Sequence, residues 1–211
     1  MGVNPGVSTK DAGQRALIDR VNQPMRGPRS IAVLSQKGGV GKTTVTVGLG
    51  ATLTATRGDR VIAVDANPDF GTLAQRGPDE TGSTVRDVLL DENIVRYSDM
   101  RTHTSQTSSR LEILASERDP ATSEAFSEAD YRGVMSVLQR FAPAARGPLG
   151  LDINEMARQF LPWVGGLHVI PFDDHLADGS EIHLQLLSVQ TRQAFLELAA
   201  TIADALAVSA R

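Results

Sequence analysis

The chain contains no cysteine. That excludes a disulfide framework, a thiolate zinc site, a cysteine-held iron–sulfur cluster and a cysteine nucleophile. No run approaches the ~18 apolar residues that a membrane span needs. Residues 1–30 carry Asp11, Gln14, Arg15, Asp19 and Arg20 with no continuous apolar stretch, so no secretory signal is expected. Basic residues are not in excess: 21 Lys and Arg stand against 25 Asp and Glu, a net charge of −4. This balance argues against a dedicated nucleic-acid or anionic-membrane binder. A soluble cytoplasmic protein is the expectation. What the chain has is ordinary globular composition, 41% hydrophobic and 22% charged over 211 residues. At ~150 residues per domain this makes one domain, or one with an appendage.

Residues 1–28 read as an N-terminal extension. Within it, Thr9–Val21 is either a short amphipathic helix burying Leu17, Ile18 and Val21 or a loose arm, and Pro24 and Pro28 end it. Residues 29–211 read as the main domain. Ser30–Ser35 (SIAVLS) is too short an apolar run for a helix and predicts a buried strand. Thr43–Arg57 has helical composition, with Gly58 where a C-terminal cap belongs. Arg60–Ala66 (RVIAVDA) predicts a second strand, so the three elements make one βαβ unit and a parallel sheet covered on both faces. Thr84–Leu90 reads as a helix with Thr84 and Asp87 at capping-box spacing. Thr102–Ser109 reads as a loop and Leu111–Leu114 as a third strand. Ser127–Phe141 is a helix whose Tyr131, Val134, Met135, Leu138 and Phe141 share a face, with Ser127 and Asp130 as its capping box. FAPAARGPLG (141–150) is a connector. Asp152–Leu161 predicts a short helix, Leu167–Ile170 a fourth strand, and Thr191–Leu206 an amphipathic helix burying Phe195, Leu198, Ala199, Ile202 and Leu206.

The strongest motif is QKGGVGKTT, Gln36–Thr44, set between a predicted strand and a predicted helix. That context is the one in which a glycine-rich turn acts as a phosphate loop. Gly38, Gly39 and Gly41, with Val40 between them, permit backbone angles that turn several N–H groups toward one anion. The helix that starts near Lys42 adds its positive end. Lys42 supplies a cation for the outer phosphates, Thr43 a hydroxyl for Mg²⁺, and Thr44 a hydroxyl for the α-phosphate. The strict eight-residue spacing is absent, so the loop is of the deviant form with Lys37 in front.

KGGVGKTT followed by a strand ending VDANPD (64–69) resembles the ParA/MinD group of P-loop ATPases, and most closely the MinD-like proteins of mycobacteria and related actinobacteria, some linked to type VII secretion. The resemblance implies an α/β, three-layer P-loop NTPase-like fold with a mostly parallel sheet, here incomplete at about four to five strands. It implies ATP and Mg²⁺ as ligands. Lys37 resembles the signature lysine that reaches the nucleotide of a partner subunit across a nucleotide-dependent homodimer. Asp65 and Asn67 occupy the acidic pair after the second strand. An amide at Asn67 can orient water but is a poor base, so Asp65 or Asp69 would have to compensate. Pro171, Phe172, Asp173 and Asp174 resemble the segment that borders the adenine.

The family's strand that ends in an acidic residue and a glycine, due after the Ser127–Phe141 helix, is not recognisable. With ~30 residues per βα unit, two or three units (~60–90 residues) are expected to be missing near 141–150. LHVIPFD (167–173) could be read as that strand, but Pro171 and its match to the adenine-side loop speak against it. Three functional readings follow: an ATP-binding switch with slow or absent hydrolysis, tied to a secretion-system or division partner; a non-catalytic interaction module; or an inactive fragment. His103, His168, His175 and His183 lack metal-ligand spacing, and the C-terminal helix has no basic membrane-facing side.

Overall fold

The computed structural model describes residues 9–25, 27, 29–35, 37–65, 71–116, 128–140 and 168–208. Its described elements are helices α1 (Thr9–Val21), α2 (Lys42–Arg57), α3 (Val85–Leu90), α4 (Tyr97–Arg101), α5 (Glu128–Arg140), α6 (Asp174–Ala177) and α7 (Val189–Val208). Strands are β1 (Ile62–Val64), β2 (Ser105–Gln106) and β3 (Glu112–Leu114), and a 3₁₀ turn covers Leu73–Arg76. The sheet order is β1-β3-β2. β1 runs parallel to β3, with Ala63 opposite Ile113, and β2 runs antiparallel to it. The architecture is therefore mixed α/β around a small mixed sheet.

Strand alternation divides the core between the two faces of this sheet. Ala63 and Ile113 join Val47, Leu176 and Phe195 on one face. Leu114, with Ile62 and Val64, meets Val85, Val88, Met100 and Val134 of α3, α4 and α5 on the other. Both faces are covered, as the sequence predicts. The α2 helix presses onto α7 closely because Gly48 has no side chain: a Cβ there would sit 2.2 Å from Phe195 Cζ. The end of α2 is formed as expected, with Gly58 at φ 71° and its N–H donating to Thr54 O at 2.9 Å.

Of the two readings of Thr9–Val21, the helix is the one formed. Val21 is fully buried with Leu49, Leu53, Ala199 and Ala200, and Leu17 and Ile18 pack on the same cluster. Asp204 of α7 accepts from Arg20 Nη2 at 2.7 Å and from Gln23 Nε2 at 2.8 Å, which clasps α1 to α7. The Thr84–Asp87 capping box is present, with Thr84 N donating to Asp87 Oδ2 at 2.7 Å.

Three expectations are corrected. Residues 30–35 form no strand: Ile31 is 41% exposed and Leu34 46%, and the segment has no ladder among the described residues. An apolar run signals burial, but a ladder also needs a neighbour, and the run does not specify one. The βαβ unit thus keeps its helix and second strand without a paired first strand. Residues 168–170 likewise form no strand; His168 Nε2 pairs with Thr201 Oγ1 at 2.9 Å and Val169 faces solvent. Thr102–Ser109 is not all loop, because its hydroxyl-rich stretch supplies β2 beside β3. The Ser127 cap, Phe141, the 141–150 connector, the Asp152–Leu161 helix and Leu167 lie outside the described residues.

Candidate phosphate-binding site

The glycine-rich turn leads into α2 as the motif requires. Gly39 and Gly41 take φ of 71° and 88°, a left-handed conformation that side chains with a Cβ resist. Gly41 caps α2 and, being glycine, offers no side-chain cap to its first turn. The first intrahelical bond runs from Val45 N to Gly41 O at 2.9 Å, so the N–H groups of Lys42, Thr43 and Thr44 precede the helical ladder. A Cβ built on Gly38, Gly39 or Gly41 would meet nothing within 4 Å. These glycines serve backbone direction and open space, not packing against the protein. Orphan donors, a helix dipole and free volume together make an anion seat.

The side chains around the seat are held from two directions. Ser35 Oγ accepts from Lys37 N at 3.2 Å and shapes the entry to the turn. Lys42 Nζ reaches back to Lys37 O at 3.4 Å, a long contact that an anion can replace. Lys37 itself is exposed, and so is Val40. On the other side, Thr43 Oγ1 lies 2.8 Å from Thr72 Oγ1. The adjacent Leu73 N donates to Asp65 Oδ2 at 2.9 Å. The Thr72–Leu73 step thus ties the carboxylate after β1 to the hydroxyl at the head of α2. A Cβ on Gly71 would fall 2.1 Å from Asp65 Oδ2 and 2.0 Å from Ser116 Oγ, so glycine is required for this approach. The hydroxyl and the carboxylate are both hard-oxygen donors. Their chemistry is the kind Mg²⁺ takes, commonly as one or two protein ligands with waters and phosphate completing its shell.

The second predicted region is less uniform. Phe172 is 83% exposed, whereas Asp173 is buried. Asp173 caps α6 through His175 N at 3.1 Å and anchors Ser188 N at 2.9 Å. Burial pushes its carboxyl up, but hydrogen bonds from Ser188, Thr191 and His175 outweigh that and hold it below the ordinary carboxylate range. Pro171 is half-buried beside it. Asn67 and Asp69 lie outside the described residues. Sequence reasoning missed Ser35, Thr72 and Arg76. No periodicity marks them; the nearest signal is their position, Ser35 just before QKGGVGKTT and Thr72 and Arg76 shortly after VDANPD.

A family model described as the CobQ/CobB/MinD/ParA nucleotide binding domain matches residues 31–203. The chain is 30% identical to the ESX-1 secretion-associated protein EspI of Mycobacterium tuberculosis over 96% of its own length and 40% of the relative's. It therefore spans well under half of that relative. The alignment runs over 268 positions against 211 residues in the chain, so at least 57 positions have no residue here. The chromosome partitioning protein ParA of Caulobacter vibrioides is 42% identical over 66 residues, 30% of this chain and 24% of that protein. The sporulation initiation inhibitor protein Soj of Bacillus subtilis is 44% identical over 64 residues, 29% and 25% of the two chains. No solved structure matches.

Proposed function

The chain belongs to the CobQ/CobB/MinD/ParA nucleotide-binding family, and from that premise we propose that it is a Mg·ATP-binding switch. The observation that carries the reading is the turn itself: positive φ at Gly39 and Gly41 ahead of a helix whose N-cap is a glycine with no side chain to cap the first turn. Gly38–Thr44 would cradle the phosphates, and Lys42 would leave Lys37 O to neutralise the outer ones. Thr43 and Asp65 would hold Mg²⁺, which supplies charge neutralisation of the β- and γ-phosphates when bound. Thr44 would donate to the α-phosphate. Pro171, Phe172 and Asp173 would border the base, with Phe172 offering an exposed ring for stacking. Lys37 would serve a second copy of the chain across a nucleotide-dependent dimer.

Hydrolysis is slow or absent in this reading. Asn67 stands where an acid would position water, and the unmatched positions in the alignment with the longer relative support a missing stretch, which this reading puts near 141–150 and which would carry the acidic strand. The same two features favour a second reading, a non-catalytic interaction module that keeps the fold but not the switch. The association with ESX-1 secretion in the relative's name supports a secretion-system partner; the name of the partitioning protein ParA supports a partition or division partner instead. A cytoplasmic site of action is part of the proposal. Among the described residues no helix is long and apolar enough to cross a membrane.

Calorimetric titration tests it. Mg·ATP is expected to bind in the micromolar range, with at least a tenfold loss in Lys42→Ala, roughly the 1.4 kcal/mol of one charged contact. A folded wild-type chain that binds neither ATP nor ADP would leave the interaction module as the standing account.

A further inference from the structure

Arg76 bridges the two regions of the site. Its Nη2 donates to Thr44 Oγ1 at 3.3 Å. Its Nη1 donates to Leu176 O at 3.1 Å and to Ser180 O at 3.4 Å. Burial pulls the guanidinium below its ordinary value. Among the described residues no carboxylate forms an ion pair with it. Three neutral oxygens hold a partly desolvated cation beside the phosphate loop, which is where an arriving anion gains most from it.

We propose that Arg76 is a positioning residue that couples occupation of the phosphate loop to the ordering of residues 173–183. This rests on the nucleotide reading above and adds a route by which the ligand is felt elsewhere. Thr44 Oγ1 accepts from Arg76, so its own proton turns away from the guanidinium. That proton has no other partner among the described residues, and a phosphate oxygen in the loop can take it. Donation to an anion polarises the hydroxyl oxygen and strengthens the bond from Nη2. The same rigid guanidinium then holds the carbonyls of Leu176 and Ser180 in place. Those carbonyls belong to α6 and the turn after it, the stretch that follows Pro171 and Phe172 in the chain. A lysine cannot substitute, because one ammonium does not reach acceptors at both ends of a planar fork.

Hydrogen exchange on the full chain, with and without saturating Mg·ADP, tests the coupling. In the wild type, ligand is expected to slow exchange over both 38–46 and 173–183. In Arg76→Met, Mg·ADP affinity falls about tenfold; protection at 38–46 persists at saturation and the added protection at 173–183 disappears. Thr44→Val leaves both carbonyl bonds intact and is expected to uncouple the segments in the same way. Arg76→Lys is expected not to restore coupling. If Arg76→Met also loosens α7 without ligand, Thr44→Val alone decides. Ligand-induced protection at 173–183 that survives in Thr44→Val overturns the coupling and leaves nucleotide binding standing. Absence of protection at 38–46 in the wild type overturns both.

Discussion

Asp173 shows how much one buried carboxylate can organise. It caps α6 and holds the start of the approach to α7 through Ser188. Its donors keep the folded-state carboxyl below the ordinary range, so the folded chain binds that proton more weakly than the unfolded chain. The stability it contributes is whole above the unfolded carboxylate value of about 4 and is lost as pH falls through the lower folded value. Asp173→Asn should therefore be less stable at pH 6 and lose less on acidification. Thermal melts between pH 6 and pH 3 check this, and parallel pH profiles for the two proteins would refute it. The family resemblance puts Asp173 in a loop expected to border the base, but the sequence carries no hint that Ser188, 15 residues on, would return to its carboxylate. Glu112 is similar. Its position in a strand is legible, whereas its burial is not, because Tyr97 and Thr104 donate to it from outside its own strand, 15 and 8 residues earlier. Partners that arrive by tertiary contact leave no local signal.

Among the elements, α2 carries most of what is local. Its start, its glycine cap and its glycine-rich turn follow from neighbouring residues, and all three are legible in QKGGVGKTT and Gly58. The unpaired segment 30–35 is the contrasting case, because pairing depends on a second strand that sequence pattern does not supply. Glycine within helices separates the two kinds of information. Gly48→Ala would drive a methyl into Phe195, whose ring is fully buried. Overpacking of about 1–3 kcal/mol should exceed the roughly 0.5–1 kcal/mol that alanine gains in a helix. A methyl on Gly13 in α1 would meet no atom within 4 Å, so Gly13→Ala should stabilise by about 0.5–1 kcal/mol. Denaturant midpoints of the pair, one falling and one rising, are the measurement; a rise in Gly48→Ala would show that α7 yields.

At the scale of the whole molecule, the described elements bring the turn of 37–44, the Thr72–Arg76 segment and the 171–180 segment to one end of α2. Lys37 stands exposed at that end. Light scattering should detect a dimer with Mg·ATP in the wild type and a monomer in Lys37→Ala, with ATP still bound by both. A wild-type chain that stays monomeric with ATP bound would remove Lys37 from the proposed cross-subunit role. Covered sheet faces and the phosphate loop were legible from the order of apolar runs and glycines. The junction of the three segments was not, since Arg76 makes its contacts across 32, 100 and 104 residues of sequence.

The clasp between α1 and α7 sets an order on biosynthesis. Val21 rests on Leu53 but also on Ala199 and Ala200, and Arg20 and Gln23 meet Asp204. Helix α1 can therefore rest on α2 early but gains its full seat only after α7 has been translated. A ribosome stalled short of residue 189 should present α1 to protease, and one stalled well beyond 208 should shield it.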